Sequence, residues 1–250
     1  MDEVIAIVQA RMQSSRLPGK ILADLKGKPL IAHIIERLKA TDGVDRVVLA
    51  VPASEAAYLA PVASEAGADI HPGSCHDVLG RFYSAARNFP SAYHVRATGD
   101  NPLIDTRMLA RCIKECKSGL WDIVGCKNMP LGTSTEVFPA SLLDHLRCFG
   151  RLSYHREHVT TYVYEHENEF RVKRLTPPRK LQAPEYRLTV DTPEDLSLIR
   201  TIYNSLYQAG KIIALEEVIR FLQQNPQIAG INSHVTQRSW KEEKMAAAVA

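Results

Sequence analysis

Thirteen residues near the N-terminus combine the chemical groups that bind phosphate. Residues 8–20 read Val-Gln-Ala-Arg-Met-Gln-Ser-Ser-Arg-Leu-Pro-Gly-Lys and follow an apolar run that is typical of a buried strand. Hydroxyls and backbone N–H groups donate hydrogen bonds to phosphate oxygens, and arginine and lysine neutralise their charge. The segment matches neither the Walker A loop nor the dinucleotide fingerprint. We therefore predict a phosphate-binding loop of another type, the alternative being a basic surface loop after an edge strand.

A second segment, 96–104, presents an aspartate after a strand. It reads Arg-Ala-Thr-Gly-Asp-Asn-Pro-Leu-Ile. The apolar strand pattern ends at Ala97, Gly99 permits a tight turn, and Pro102 fixes the backbone beyond it. Asp100 is thereby displayed at the carboxyl end of a strand. The residues alone leave two interpretations open, a turn former or a ligand for a divalent metal.

A third segment places Asp191 between a predicted strand and a helix. The run that follows, Thr-Pro-Glu-Asp-Leu, begins a helix with Thr192 as the N-cap and Asp195 as its capping-box partner. Helix capping does not account for Asp191 itself. Because parallel strands deliver their carboxyl ends to one edge of a sheet, we expect Asp100 and Asp191 to meet there.

Short apolar strands alternate with helices of about ten residues in the first half of the chain, which indicates parallel βαβ units. Strands are predicted at 4–8, 46–51, 69–71, 93–97 and 122–124, and helices at 30–40, 55–66, 78–88 and 108–117. The regular alternation of strands and helices ends in the second half. Strands are predicted there at 132–138, 170–175 and 186–190, and helices at 139–147, 154–165 and 215–224, with a further helix that begins after Thr192.

Length and composition are those of an ordinary globular chain. The 250 residues are 45% hydrophobic and 24% charged, and the net charge of +3 is too small to indicate nucleic-acid binding. No apolar run approaches the ~20 residues that cross a bilayer, and the acidic start predicts no signal peptide. Five cysteines without a Cys-x-x-Cys pair are typical of small buried side chains in a reducing compartment. We expect a cytoplasmic protein with one domain at 1–230 and a tail at 231–250.

Three motifs carry a resemblance to a known family. The run Ala10-Arg11, followed by Ser14-Ser15-Arg16-Leu17-Pro18-Gly19-Lys20, resembles the signature loop of the sugar cytidylyltransferases. These include the CMP-KDO and CMP-sialic acid synthetases and the spore-coat polysaccharide group, which is the most similar. The Gly-Asp-x-Pro-Leu-Ile and Asp-Thr-Pro-Glu-Asp-Leu segments occur in the same order in that family. The resemblance covers residues 4 to about 200.

The resemblance implies a fold and a set of site residues. The fold is α/β, a Rossmann-like mixed, mostly parallel sheet flanked by helices, of the nucleotide-diphospho-sugar transferase type. Residues 132–175 are implied to be an insertion for acceptor binding and dimerisation. The implied catalytic residues are Arg16, Lys20 and Asp100; the nucleotide-binding residues are Ala10, Arg11, Ser14, Ser15, Gly73, Asp77, Arg81 and Arg96; the acceptor-binding residues are Glu136, Arg156 and His158; and the metal ligands are Asp100 and Asp191.

The function that these residues imply is Mg²⁺-dependent transfer of CMP from CTP to an acceptor. The acceptor is a sugar acid or a phosphorylated small molecule, pyrophosphate is released, and the protein is a homodimer without nucleic-acid or membrane partners. Two alternatives are a nucleotidyltransferase that uses another nucleotide and a glycosyltransferase of related fold, although the Asp-x-Asp motif of the latter is absent around Asp100. A nucleotide-binding regulatory protein is the non-enzymatic alternative. From the residues alone, Arg81 either binds the base or caps a helix.

Overall fold

The computed structural model of the protein describes residues 2–237. The strands are β1 (Val4–Gln9), β2 (Asp24–Leu25), β3 (Lys28–Pro29), β4 (Arg46–Pro52), β5 (Asp69–Gly73), β6 (Tyr93–Thr98), β7 (Ile123–Cys126), β8 (Glu136–Pro139) and β9 (Val172–Leu175). The α-helices are α1 (Leu30–Lys39), α2 (Ala56–Ala66), α3 (Val78–Asn88), α4 (Thr106–Cys116), α5 (Ala140–Phe149), α6 (Ser153–Glu157), α7 (Thr161–Glu165), α8 (Pro193–Leu206), α9 (Leu215–Gln224) and α10 (Pro226–Ala229).

Seven strands form one mixed sheet in the order β5-β4-β1-β6-β8-β7-β9. The pairs β5–β4, β4–β1, β1–β6 and β7–β9 are parallel, whereas β8 runs antiparallel to both β6 and β7. Strands β2 and β3 form a separate two-stranded hairpin. The prediction of a Rossmann-like, mostly parallel sheet flanked by helices is confirmed.

The central strand β1 shows why the sheet is covered on both faces. Its side chains alternate, so that Val4, Ala6 and Val8 join the larger apolar core while Ile5 and Ile7 join the smaller one. All five are at most 2% exposed. A strand that is buried on both faces has a continuous run of apolar residues, and this run is the feature from which β1 was predicted. Each fully buried aliphatic side chain contributes roughly 1.5–3 kcal/mol of transfer free energy.

Several helices match the sequence prediction, because their caps and apolar spacing are local features. Helices α3 and α9 have the predicted bounds. Helix α8 begins as expected, since the Thr192 hydroxyl accepts a hydrogen bond from the Asp195 N–H and the Asp195 carboxylate accepts one from the Thr192 N–H. In the first half, each predicted strand overlaps an observed one.

The second half of the chain differs from the prediction in three places. The strand predicted at 186–190 is wrong, because this extended segment forms only an isolated bridge between Arg187 and Leu131. The single helix predicted at 154–165 is broken into α6 and α7 by the turn through His158 and Thr160. The strand predicted at 132–138 is reduced to β8, since the residues before Glu136 form a loop.

The first residues of the expected tail at 231–250 are packed on the fold. A 3₁₀ turn covers Gly230–Asn232, and Asn232 is 2% exposed. Its amide donates hydrogen bonds to the Arg187 carbonyl, 3.0 Å, and to the Asp195 carboxylate, 2.7 Å. The remainder of the expected tail, 238–250, lies outside the described residues. Among residues 2–237 there is no helix with the length and apolar character that a bilayer crossing requires.

Candidate active site

A cavity of about 380 Å³ opens at the carboxyl ends of β1 and β6. Such a crevice is where ligands bind in open α/β sheets. Of the residues that the sequence assigned to function, those that line it are Ala10, Arg11, Ser14, Ser15, Arg16, Lys20, Arg81, Arg96, Asp100, His158 and Asp191. The structure therefore brings together the cationic loop and both aspartates, which are separated by up to 181 positions in the sequence.

The loop after β1 is held in place at both of its ends. The Met12 N–H donates a 2.7 Å hydrogen bond to the carboxylate of Glu55, which is buried at 8% exposure. The Gly19 N–H closes the loop on the Met12 carbonyl at 2.8 Å. Gly99 lets the turn after β6 approach closely, because a Cβ on it would lie 2.7 Å from the Ala10 Cβ. The loop that carries Arg16 and Lys20 is thus fixed against the turn that carries Asp100.

Lys20 lies at the centre of the site. It is 9% exposed, and its Nζ donates hydrogen bonds to Asp100 Oδ2 at 3.2 Å, to Asp191 Oδ1 at 2.8 Å and to the Val190 carbonyl at 2.7 Å. The Lys20 ammonium therefore compensates the negative charge of both carboxylates in a partly buried environment. A buried ammonium without such partners would be costly.

The two aspartates are close enough to act on one ion. Because Lys20 Nζ is 3.2 Å from Asp100 Oδ2 and 2.8 Å from Asp191 Oδ1, these two oxygens are at most about 6 Å apart. Both carboxylates remain accessible from the cavity, with side-chain exposures of 27% and 16%. Mg²⁺ typically takes one or two carboxylates together with phosphate oxygens and water. The pair fits that donor set, and the described residues hold no cluster of three acidic, histidine or cysteine ligands.

Asp191 is surrounded by cations. Its Oδ2 accepts a 2.7 Å hydrogen bond from Arg187 and lies 3.3 Å from Arg16. Burial on its own would raise the pKa of Asp191, but Lys20, Arg16 and Arg187 more than offset this and the pKa is lowered. The carboxylate is therefore ionised throughout the neutral range and available to a cation.

A network around Asp195, which the sequence analysis treated only as a helix cap, supports Asp191. Asp195 is fully buried and accepts hydrogen bonds from Arg187 Nε at 2.9 Å, from the Asp191 N–H at 2.9 Å and from Asn232 at 2.7 Å. Arg187 is thereby held between Asp191 and Asp195, and it also contacts Gln237, which lines the cavity. No motif marks Arg187 or Asn232. The only sequence signal was the position of Arg187 four residues before Asp191.

Helix α3, which follows β5, contributes Arg81 to the cavity wall. Gly73 makes room for that side chain, since a Cβ on Gly73 would lie 2.7 Å from Arg81 Cγ. Arg81 is 2% exposed, its guanidinium donates to the Ser74 carbonyl, and burial lowers its pKa. Asp77 caps α3 through a 2.7 Å bond from the Gly80 N–H. Gly73 and Asp77 do not line the cavity.

A second cavity of about 250 Å³ adjoins the first, and Arg96, Thr98 and Asn101 line both. Glu136 lies in its wall, 3.0 Å from Arg96, and it accepts hydrogen bonds from the hydroxyls of Thr160, 2.7 Å, and Tyr164. Burial and the neighbouring Glu136 charge raise the pKa of Tyr164, so this hydroxyl stays protonated. Glu136 therefore fixes Arg96 in the wall between the two cavities.

The remaining predicted residues divide between the first cavity and its rim. His158 lines the first cavity. Arg11 also lines it but forms a 2.7 Å ion pair with Glu157 of α6. Arg156 lines neither cavity, because its guanidinium pairs with Asp77 at 3.3 Å. Helix α6 is thus linked by ion pairs to the loop after β1 and to the loop between β5 and α3.

The fold and the site together place a cationic loop against a pair of carboxylates at the edge of a Rossmann-like sheet. The family described as cytidylyltransferase matches residues 5–225, and the chain therefore belongs to the cytidylyltransferase family. It is a nucleotidyltransferase.

Individual relatives agree with this assignment. The spore coat polysaccharide biosynthesis protein SpsF of Bacillus subtilis (strain 168) is 33% identical over 235 residues, covering 92% of this chain and 98% of that protein. The 3-deoxy-manno-octulosonate cytidylyltransferase of Anaeromyxobacter sp. (strain K) is 32% identical over 181 residues, covering 66% of this chain and 74% of that one. A cytidylyltransferase structure from Leptospira borgpetersenii serovar Hardjo-bovis (strain JB197) superposes with a TM-score of 0.85 at 28% identity, covering 95% and 99% of the two chains.

Proposed function

We propose that the protein transfers CMP from CTP to a sugar acid or a phosphorylated small molecule, in a Mg²⁺-dependent reaction that releases pyrophosphate. The observation that carries the proposal is the position of Lys20 between Asp100 and Asp191, beside the loop that holds Arg16. Phosphate oxygens, a divalent cation and these side chains complement one another in charge. The relative named for spore coat polysaccharide biosynthesis supports a role in making a surface polysaccharide.

The carboxylates would hold the metal, and Lys20 and Arg16 would hold the phosphates. Bound Mg²⁺ would neutralise charge on the reacting phosphate and on the pyrophosphate. Lys20 Nζ now bonds both carboxylates, so we expect it to exchange them for phosphate oxygens when the metal and CTP bind. Arg16, which is 25% exposed, can turn from Asp191 to the same phosphates without leaving the cavity wall.

The second cavity is proposed as the acceptor site. Its lining is polar, and the Thr135 hydroxyl there is buried without a hydrogen-bond partner in the described part of the chain, which suits a hydroxyl-rich ligand. Thr98 and Asn101 line both cavities, which therefore adjoin each other. An acceptor oxygen in the second cavity could thus reach the α-phosphorus of a nucleotide in the first. A bond forms from that oxygen to the α-phosphorus, and the bond from the α-phosphorus to the bridging oxygen breaks. Positioning and charge neutralisation are the main requirements of such chemistry.

Among the acceptor-binding predictions, Glu136 lines the second cavity and acts through Arg96, whereas Arg156 is proposed to support the nucleotide-side loops through Asp77. A homodimer and a cytoplasmic location remain predictions. Light scattering tests the first, with an expected mass of twice the 27.9 kDa chain.

The test of the proposed function is a screen of sugar acids and phosphorylated alcohols with CTP and Mg²⁺, in which pyrophosphate release is measured. We expect release with at least one acceptor and none in EDTA. CTP binding without release from any acceptor would favour the regulatory-protein alternative. Release that is faster with UTP, ATP or GTP would favour a nucleotidyltransferase of another specificity.

A further inference from the structure

Two cysteines meet at the wall of the second cavity. Cys112 of α4 and Cys126 at the end of β7 are 14 residues apart, and their Sγ atoms are separated by 3.5 Å. The other three cysteines, Cys75, Cys116 and Cys148, are also free thiols. A contact of this length brings two thiols together without a bond between them, since a disulfide requires about 2.05 Å.

The two thiols have different surroundings. Cys126 is partly exposed and lines the second cavity, so a small molecule can reach it. Cys112 is 1% exposed and lies behind Cys126 in the larger core. The hydrogen bond between the thiols lowers the pKa of Cys126, although burial opposes that shift, and the same bond together with burial raises the pKa of Cys112. Cys126 is therefore the more reactive thiol, and Cys112 is the one that keeps its proton.

We propose that Cys112 and Cys126 form a peroxide-sensitive dithiol whose oxidation to a disulfide remodels the wall of the second cavity. Cys126 sulfur attacks hydrogen peroxide, so that an S–O bond forms, the O–O bond breaks and hydroxide leaves, which takes up the thiol proton as water. Cys112 sulfur then attacks the sulfenic acid of Cys126. The S–S bond forms, the S–O bond breaks, and a second water leaves with the Cys112 proton. Each sulfur is oxidised by one electron, and the peroxide is reduced by two.

The consequence for the site follows from what lies beside Cys126. Gly125, Ser134 and Glu136 share the cavity wall with it, and β7 pairs with β8, which carries Glu136. Closing the sulfurs from 3.5 Å to bonding distance pulls the end of β7 toward α4 and away from the cavity. Acceptor binding should weaken while CTP binding is retained, because neither cysteine lines the first cavity. This second part rests on the proposed function.

Trypsin makes the disulfide directly testable. Cleavage after Arg111, Lys114, Lys117 and Lys127 places Cys112 in the peptide 112–114, Cys116 in 115–117 and Cys126 in 118–127. The full-length protein is treated with hydrogen peroxide, alkylated with iodoacetamide, digested and analysed by mass spectrometry. We expect a linked 112–114/118–127 pair, which dithiothreitol removes. Cys148→Ser is the matched control, since its thiol is exposed and distant in sequence from the pair, and it should give the same linked pair.

One further variant and a kinetic measurement complete the test. Cys112→Ser should yield no linked pair, and dimedone should instead trap Cys126 as its sulfenic acid. The oxidised wild type should show an acceptor KM raised at least about fivefold, with the Kd for CTP within about twofold of the reduced protein. Absence of the 112–114/118–127 pair, or its presence with an unchanged acceptor KM, would overturn the proposal. If the reduced protein turns over no acceptor, the proposed function fails, and the peptide analysis still decides whether the dithiol forms.

Discussion

Replacing Lys20 by methionine tests the arrangement at the centre of the site. Methionine is close to lysine in length but carries no charge, so Lys20→Met removes one cation and three hydrogen bonds, to Asp100, Asp191 and the Val190 carbonyl. The two carboxylates are then left facing each other across the vacated position. We expect the variant to fold with reduced stability and to lose turnover at least about 100-fold, because a charge next to the leaving pyrophosphate is lost.

The structure sets the size of the effect on stability. Two unit charges about 6 Å apart repel by roughly 3 kcal/mol at an effective dielectric constant of about 20. Arg187 and Arg16 still compensate Asp191 and reduce this repulsion, while the unpaired Val190 carbonyl adds about 1 kcal/mol. The free energy of unfolding at pH 7 in EDTA should therefore fall by about 2–3 kcal/mol.

Urea denaturation followed by circular dichroism measures this loss. Loss of Lys20 removes one of the cations that lower the pKa of Asp191, so the loss of stability is largest at pH 7 and shrinks as the pH falls and Asp191 takes up a proton. Millimolar Mg²⁺ should restore part of the lost stability. Lys28→Met is the control, because its ion pair with Glu36 is partly exposed to solvent and is worth at most about 1 kcal/mol. A Lys20→Met protein as stable as wild type at pH 7 in EDTA, or one indifferent to Mg²⁺, would refute the reasoning.

Three further variants give distinct outcomes. Arg16→Ala should lower turnover at least about 100-fold with little change in stability, because Arg16 is partly exposed; unchanged turnover would contradict its phosphate role. Asn232→Ala removes a 2.7 Å hydrogen bond to buried Asp195. The free energy of unfolding, measured by urea denaturation, should fall by about 1–3 kcal/mol. An unchanged free energy of unfolding would mean that the C-terminal turn does not support the site. Burial lowers the pKa of His94 to about 4, so the unfolded state binds more protons below pH 6.5 and wild-type stability falls toward pH 4. His94→Gln should remove about 3 kcal/mol of that fall, and an unchanged pH profile would exclude His94 as its cause.

Local sequence features were enough to predict the first half of the fold and much of the site. The continuous apolar run of β1 and the cap at Thr192 each depend on neighbouring residues. The convergence of Asp100 and Asp191 followed from a general rule about parallel sheets. The reason given for Asp191 was nevertheless incorrect, since no strand precedes it and its segment is held by a Val190 N–H bond to the Asp100 carbonyl at 2.8 Å.

The features that sequence reasoning missed depend on contacts between distant segments. Arg187 reaches Asp195, and Asn232 reaches both from the far end of the chain, although the residues after Ile231 show no periodic pattern. The role of Glu136 as the partner of Arg96 likewise required β8 to pair antiparallel with β6, where the two residues face each other in register. The change from a parallel to an antiparallel neighbour has no signature in the short run at 136–139.

The most direct test of the central claim follows the phosphorus atoms of the nucleotide. CTP labelled at the α-phosphorus is incubated with Mg²⁺ and a productive acceptor, alongside Asp100→Asn and Asp191→Asn. The account predicts that the label passes to the acceptor as CMP, that unlabelled pyrophosphate is released, and that both variants remain folded but inactive, with CTP preferred over UTP, ATP and GTP. Label that stays in CDP, or transfer that proceeds in either variant at the wild-type rate, would contradict it.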